Sequence, residues 1–286
     1  MTDNAEIIQL QNIMKSFGDK KVIRDVSFSV KQGEIFGMLG PSGAGKTTLI
    51  RIITGQLKAD EGKCMVHGIP SDKLNGRDHR TFGIMMDQFG LYERFSCREN
   101  LKLFARIYGV PDAKISEVLE KVGLKGAEKT PAGRLSKGMM SRLRLARAFM
   151  TDPEILFLDE PTSGLDPATA KEIHQMILAE KERGKTIFLT THTMSEAEKL
   201  CDKIVLLHEG TIWEEGSPAE ICRRHDHQKK LLVHLTNGRD LCLSHDGDSA
   251  QTLFSLMQGG QAQTIHTTEP NLETVFLELT GKELEA

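Results

Sequence analysis

The sequence contains no long hydrophobic run. Its longest stretches of aliphatic or aromatic residues have four members, as at 155–158 and 204–207, whereas a membrane-spanning helix needs about 20. The first residues also lack the basic and then apolar pattern that is typical of a signal peptide. We therefore expect a cytoplasmic chain that does not itself cross a bilayer.

Closely spaced cysteines are absent as well. Of the five cysteines, the two nearest in sequence are Cys222 and Cys242, so no CxxC pair is available for zinc binding or redox chemistry. Scattered thiols of this kind are typical of proteins in a reducing cytoplasm.

A surplus of positive charge is missing too. Lys and Arg number 37 against 40 Asp and Glu, which gives a net charge of −3. Proteins that bind nucleic acid through general electrostatic attraction usually carry a basic surplus. The balance argues against that class, and we expect no nucleic-acid partner.

What the chain does contain is the pattern of an α/β protein. Short apolar runs that interleave with helical patterns are typical of strands buried on both faces of a parallel sheet; they lie at 35–39, 84–86, 155–158, 186–190 and 203–207. The pattern at 96–150 is helical, and Ser195 with Glu198 has the spacing of a capping box before a further helix. After residue 226 a polar linker leads into a hairpin and helices. We place the domains at 1–226 and 227–286.

A glycine-rich motif follows the apolar run at 35–39. The pattern G-x-x-x-x-G-K-[ST] is matched by Gly40, Pro41, Ser42, Gly43, Ala44, Gly45, Lys46 and Thr47, and Thr48 comes next. A loop of this kind between a strand and a helix turns backbone N–H groups toward one anion. We expect Lys46 to reach the β and γ phosphates of a nucleotide and Thr47 to bind Mg²⁺. The alternative, a glycine-rich turn that contains lysine by chance, is disfavoured by the flanking strand and helix.

Two acids end the apolar run at 155–158. Asp159 and Glu160 come where sheets of this kind bind ligands, at the carboxyl end of a buried strand. Asp159 is expected to hold Mg²⁺ through water, and Glu160 to polarise an attacking water as general base. An apolar run before Asp-Glu is weak evidence by itself, but together with the glycine-rich loop it indicates a nucleotide hydrolase.

Three further segments decide which kind of hydrolase is meant. They are Leu-Ser-Lys-Gly-Met at 135–139, Ser-Gly-Leu-Asp at 163–166, and His192 just beyond the run at 186–190. In this order they resemble the signature, D-loop and switch histidine of ABC transporter ATP-binding proteins, over about residues 7–220. The resemblance implies a P-loop NTPase of the ABC cassette type. Such a cassette has a mixed sheet core and a helical subdomain at about 89–150, followed here by a small C-terminal α/β domain.

The resemblance also implies roles for particular residues. Phe17 would stack on adenine, although a core aromatic is the alternative. Ser136 and Gly138 would contact the γ-phosphate of ATP held by another subunit. His192 would touch the γ-phosphate in its own site and help to fix the water at Glu160. Asp166 would organise the dimer interface and could also cap the helix that Pro167 begins.

The chain departs from the family pattern at two places. In the signature, Lys137 and Met139 replace a glycine and a glutamine. In the Q-loop, counting back from the following Leu-Tyr puts the family's glutamine on Asp87, with Gln88 one residue late. We treat both as candidates for the nucleotide and Mg²⁺ site, because Asp87 offers an oxygen ligand.

These departures, and the tail pattern at 269–281, resemble the ATPases of drug, antibiotic and bacteriocin exporters. The resemblance implies an ATP- and Mg²⁺-dependent motor that works as a homodimer, or as a heterodimer with a related ATPase subunit. It would sit on the inner face of the cell membrane and drive a separate transmembrane permease. Two alternatives are a non-transport ABC ATPase that acts on ribosomes or nucleic acid, and a regulatory ATP-binding module.

Overall fold

The chain divides into two compact units in the computed structural model, which describes residues 5–86, 90–226, 230–244, 246–268 and 270–281. The first unit ends at Gly216 and the second begins at Ser217. The sequence places this boundary at the polar linker after residue 226. The structural division comes earlier because the helix Pro218–Arg224 packs against the helix Leu272–Thr280 of the second unit.

The first unit alternates strands and helices. In chain order, its elements are β1 (Glu6–Phe17), β2 (Lys20–Lys31), β3 (Ile35–Leu39), α1 (Lys46–Ile53), β4 (Glu61–Val66), β5 (Ile69–Pro70), β6 (Phe82–Met85), α2 (Cys97–Tyr108), α3 (Ala113–Lys121), α4 (Lys137–Phe149), β7 (Ile155–Asp159), α5 (Pro167–Glu182), β8 (Thr186–Thr191), α6 (Met194–Leu200), β9 (Lys203–His208) and β10 (Thr211–Gly216). Short 3₁₀ turns lie at Ser71–Lys73, Asp78–Thr81 and Ala132–Arg134.

These strands form two sheets. One has the order β2-β1-β4-β5 and is antiparallel. The other has the order β10-β9-β3-β8-β7-β6, in which only the edge strand β10 runs antiparallel to its neighbour. Every residue of β3, β7 and β8 is buried, as the unbroken apolar runs predict for strands covered on both faces. The mixed sheet expected from the sequence is confirmed.

One hydrophobic core joins the two sheets and α1. Its centre is a row of phenylalanine rings contributed by both sheets. Phe28 stacks on Phe36 at 4.9 Å between centroids, Phe36 on Phe188 at 5.4 Å, and Phe188 lies 5.9 Å from Phe157. Offset aromatic packing of this kind stabilises by about 0.5–1.5 kcal/mol per pair beyond the burial of area. The core therefore packs against β3, β7 and β8, at whose ends the candidate site residues lie.

The helices α2, α3 and α4 pack on one another and correspond to the helical region expected from the sequence. Ser96 caps α2 in a complete capping box with Glu99, and Ser136 caps α4 by accepting a hydrogen bond from the Met139 backbone N–H. Lys121 of α3 forms an ion pair with the buried Glu180 of α5, and this pair joins these helices to the rest of the unit.

One capping prediction is wrong. The helix α6 begins at Met194 with Thr193 at the N-cap, and no side chain caps it. Ser195 and Glu198 therefore lie inside the helix. The acid in its first turn is Glu196, whose side chain is buried.

The second unit is a small α/β fold. Its elements are α7 (Pro218–Arg224), β11 (Lys230–Leu235), β12 (Asp240–Ser244), α8 (Gly247–Gln258), β13 (Ala262–Thr268) and α9 (Leu272–Thr280). The strands form an antiparallel sheet in the order β12-β11-β13, and the hairpin predicted between β11 and β12 is present. Across the described parts of both units, no helix is long and apolar enough to span a membrane.

Candidate active site

The loop between β3 and α1 curls tightly, and its glycines make this possible. Gly43 and Gly45 have φ angles of 81° and 111°, which side chains rarely adopt. A Cβ atom on Gly40 would lie 2.1 Å from the backbone oxygen of Leu207, so no side chain fits there. The loop delivers the chain directly into α1, whose first N–H groups have no partner within the helix. The arrangement is suited to binding an anion.

Lys46 is the first residue of α1 and is nearly buried, with 7% of its surface exposed. Its Nζ donates a hydrogen bond of 2.5 Å to the backbone oxygen of Gly40 and lies 3.1 Å from Oε1 of Glu160. A buried ammonium group needs a counter-charge, which Glu160 supplies here.

Asp159 ends β7 and lies directly beside the loop. Its Oδ2 accepts a hydrogen bond of 2.9 Å from Thr47 Oγ1, and its Oδ1 accepts one of 2.5 Å from Thr190 Oγ1. Thr190 is the residue that pairs with Asp159 in the parallel register of β7 and β8. The carboxylate is thus held from both sides, beside the Thr47 hydroxyl.

Glu160 connects the loop to the end of β8. While Oε1 faces Lys46, Oε2 lies 2.6 Å from Nδ1 of His192. An ionised carboxylate only accepts hydrogen bonds, so Nδ1 of His192 carries the hydrogen. Glu160 itself has a φ of 51°, which is uncommon outside glycine. Lys46, Glu160 and His192 form a continuous polar chain.

These side chains share one cleft of about 950 Å³. Of the residues predicted from the sequence, Pro41, Ser42, Gly43, Gly45, Lys46, Thr47, Thr48, Asp159, Glu160 and His192 line it. Gly40 and Ala44 are buried in the loop. Phe17 does not line the cleft. Its side chain is 51% exposed, so the alternative of a core aromatic is wrong. Asp87 and Gln88 lie outside the described residues.

The signature segment meets the cleft at the start of α4. Lys137 lines the cleft, whereas Ser136 caps the helix. Gly138 faces α5, where a Cβ atom would lie 2.7 Å from Cγ2 of Thr169. The small residue at 138 thus has a packing reason in this chain.

Asp166 is the N-cap of α5, as predicted. It accepts hydrogen bonds from the backbone N–H groups of Ala168 and Thr169 and from the hydroxyl of Thr169, the last at 2.6 Å. The hydrogen bonds from Thr169 lower the pKa of this carboxyl, so it remains ionised at the positive end of the helix dipole.

Sequence reasoning missed several polar residues around the site. Thr190 could have been found by aligning the ends of β7 and β8, since parallel neighbours end at the same edge. Thr162, His174 and Glu196 form a hydrogen-bonded group behind the cleft, for which the sequence carries no signal. Within the described ranges, no cluster of three or more His, Cys, Asp and Glu side chains could hold a metal.

The fold and the cleft together define a P-loop nucleoside triphosphatase. The family model described as "ABC transporter" matches residues 23–163. Over 97% of this chain and 98% of the relative, the sequence is 38% identical to the Nod factor export ATP-binding protein I of Rhizobium sp. (strain N33). It is 37% identical to a fluoroquinolones export ATP-binding protein of Mycobacterium tuberculosis (strain CDC 1551 / Oshkosh), over 98% of this chain and 95% of that one.

Among solved structures, a dimeric ATP-binding cassette in a post-hydrolysis state, bound to ADP and Pi, is similar with a TM-score of 0.67. It is 27% identical and the match covers 73% of this chain and 98% of that one. The chain therefore belongs to the ABC transporter family, as an ATP-binding and ATP-hydrolysing cassette.

Proposed function

We propose that this chain is the ATP-driven motor of a membrane exporter and that it acts on a separate transmembrane permease. The observation that carries the proposal is the polar chain from Lys46 through Glu160 to His192, beside the pair formed by Thr47 and Asp159. The names of the similar export ATP-binding proteins support the direction of transport. The polar groups that line the cleft, Lys46, Asp159, Glu160 and His192, argue against the alternative of a regulatory module without hydrolysis.

The residues present fit Mg²⁺. The Thr47 hydroxyl and the Asp159 carboxylate lie 2.9 Å apart, and both are oxygen ligands of the kind that Mg²⁺ prefers. Thr47 and Asp159 would hold the ion together with the nucleotide, and Asp87 and Gln88 stay candidates for further contacts. When bound, Mg²⁺ neutralises charge that develops on the phosphate oxygens.

ATP would enter by replacing contacts within the cleft. Lys46 now faces Glu160, and phosphate oxygens would take the place of that carboxylate while the loop N–H groups cradle the phosphates. Glu160, released on one side, would then accept a proton from the attacking water. The Nδ1–H of His192 would hold the carboxylate in place, and Nε2 would face the γ-phosphate.

A second cassette would complete the site. Ser136 uses its oxygen to cap α4, and its hydroxyl hydrogen can still be donated to a phosphate held by the partner. Gly138 lies beside it and Asp166 on the adjoining helix. The similar dimeric cassette supports an assembly of two subunits, which would be two copies of this chain or this chain with a related one. Phe17 would stack on adenine.

The permease would meet the helical region. Tyr92 and Phe95 are 54% and 43% exposed, and their rings pack at 5.2 Å between centroids. The buried Asn100 side chain fixes this turn by donating to the backbone oxygens of both residues and accepting from the Tyr92 N–H. A rigid turn with two exposed aromatic rings is suited to contact with a protein partner, and it would place the chain at the inner face of the membrane.

The variant Glu160→Gln tests the proposal, with Glu154→Gln as its control. Glu154 lies just before β7 and is largely exposed, so its substitution removes the same charge at the opposite end of the strand. We expect Glu160→Gln to bind ATP, to lose Mg²⁺-dependent hydrolysis and to accumulate as a dimer. Glu154→Gln should hydrolyse ATP as the unmodified chain does.

The Glu160→Gln variant also identifies the partner. When this variant is isolated from cell extracts, a polytopic membrane protein should accompany it. Wild-type turnover by Glu160→Gln would show that Glu160 is not the base. Co-sedimentation with ribosomes instead of a membrane protein would favour the non-transport alternative.

A further inference from the structure

A buried carboxylate lies behind the catalytic cleft and outside its lining. Glu196, in the first turn of α6, is only 3% exposed. Its Oε1 accepts hydrogen bonds from Thr162 Oγ1 at 2.5 Å and from His174 Nε2 at 2.9 Å. Burial alone raises the pKa of Glu196, but these hydrogen bonds outweigh it and lower the pKa. The group is therefore a charge held in the interior.

The two partners come from separate segments. Thr162 lies two residues after Glu160 in the chain, and Glu196 itself lies four residues after His192. His174 belongs to α5, the helix that Asp166 caps. Because isolated buried charges are strongly unfavourable, the carboxylate holds these segments together only while all of its hydrogen bonds are made.

The segment after β7 needs such support. Glu160 adopts a φ of 51°, and a strained backbone of this kind persists only where its surroundings determine it. On one side, the Glu160 N–H donates to the Thr190 backbone oxygen at 3.1 Å. On the other, the turn bends back through Ser163 N–H to Glu160 and through Leu165 N–H to Thr162. The contact of Thr162 with Glu196 anchors this second side.

We propose that Glu196 is a positioning residue for the catalytic pair: bonded to Thr162 and held in the helix that follows His192, it sets the separation of Glu160 and His192. This inference rests on the proposed role of Glu160. The 2.6 Å contact between Oε2 and Nδ1 depends on two loops from different strands. Glu196 is hydrogen-bonded to the first through Thr162 and follows the second directly in the chain, in the first turn of α6. Loss of the Thr162 hydrogen bond would let one loop move relative to the other.

The test removes the hydroxyl donor of Thr162. Thr162→Val keeps the shape of the side chain and removes the hydroxyl, and Thr162→Ser restores it. The control is Glu180→Gln, since Glu180 is an equally buried carboxylate, 1% exposed, near the far end of α5 and paired with Lys121. Each is made in the full-length chain and in the Glu160→Gln background. Mg²⁺-dependent hydrolysis is measured per bound ATP, so that misfolded protein does not count.

We expect Thr162→Val to lower kcat by about ten- to hundredfold, the effect of a small misplacement at a catalytic group, with the KM for ATP nearly unchanged. Thr162→Ser should recover most of the rate, and Glu180→Gln should keep it. In the Glu160→Gln background, the slow residual rate that remains over long incubation should not fall further with Thr162→Val, because Thr162 acts through Glu160.

The inference is overturned if Thr162→Val leaves kcat unchanged. It is also overturned if the variant causes the same fold loss in both backgrounds, which would be the result of a merely structural role. Failure of the proposed function is distinguishable, since Glu160→Gln alone would then hydrolyse ATP at the wild-type rate, before Thr162 is changed.

Discussion

The close approach of two strands at Gly40 predicts a large effect of a single methyl group. Gly40 follows β3, and a Cβ atom on it would lie 2.1 Å from the backbone oxygen of Leu207 on the adjacent β9. Carbon–oxygen contacts between neighbouring strands are ordinarily about 3.3–3.6 Å, so Gly40→Ala would force the strands apart by about 1 Å. The matched control is Gly43→Ala, because Gly43 also has a positive φ but has open space where the methyl group would lie.

The expected magnitudes follow from these two environments. Backbone strain at a positive φ costs about 1–3 kcal/mol for a residue other than glycine, and this applies to both variants. Overpacking in a closely packed region adds about 1–3 kcal/mol, and this applies to Gly40→Ala alone. We therefore expect the free energy of unfolding to fall by about 2–6 kcal/mol for Gly40→Ala and by about 1–3 kcal/mol for Gly43→Ala. The total free energy of unfolding of a typical domain is about 5–15 kcal/mol.

The chain carries its own probe for the measurement. Its single tryptophan, Trp213, lies on β10, beside β9 in the same sheet, and stacks on His208 at 4.4 Å. Tryptophan fluorescence during urea unfolding therefore reports on the sheet that Gly40→Ala disturbs. Equal unfolding midpoints for the two alanine variants would refute the reasoning, since only one of them has a clash.

Two further predictions concern residues around the cleft. Phe17→Ala should leave the free energy of unfolding within about 0.5 kcal/mol, because the ring is half exposed. It should weaken ATP binding by about two- to tenfold, as expected for the loss of one stacking contact; unchanged affinity by titration would contradict the stacking role. For Glu196→Gln, the relevant variable is pH. Because the pKa of Glu196 is lowered in the folded state, its contribution to stability is present above the unfolded value of 4.5 and is lost as the pH falls through the folded pKa. The stability difference between the unmodified chain and the variant should shrink below pH 4.5, and a constant difference would contradict the assignment.

The parts of the site that lie in a continuous motif could be predicted from the sequence. The loop at 40–47 and the acids that follow β7 depend on local geometry, and a strand, a tight turn and a helix start leave few arrangements open. The pairing of Asp159 with Thr190 depends on one additional fact, the parallel register of β7 and β8. That register follows from the edge at which the strands end.

The group around Glu196 could not be predicted in this way. An acid in the first turn of a helix usually lies on the surface, where it complements the dipole, and the sequence does not distinguish a buried one. The capping-box spacing favoured Ser195 and Glu198 instead, and this was wrong because the helix starts two residues earlier, with Thr193 at its N-cap. Burial of Glu196 depends on α5 and on the turn at Thr162, which are distant in sequence.

The contact between Lys46 and Glu160 bears on when ATP can be hydrolysed. Lys46 lies 3.1 Å from Glu160, so the cation that would bind phosphate and the carboxylate that would activate water neutralise each other in this structure. Binding of phosphate would draw Lys46 away and leave Oε1 of Glu160 available to a water molecule when substrate is present. This exchange works only if Glu160 stays in place when Lys46 leaves, and its remaining contacts, with His192 and through the turn to Glu196, are the ones that would hold it.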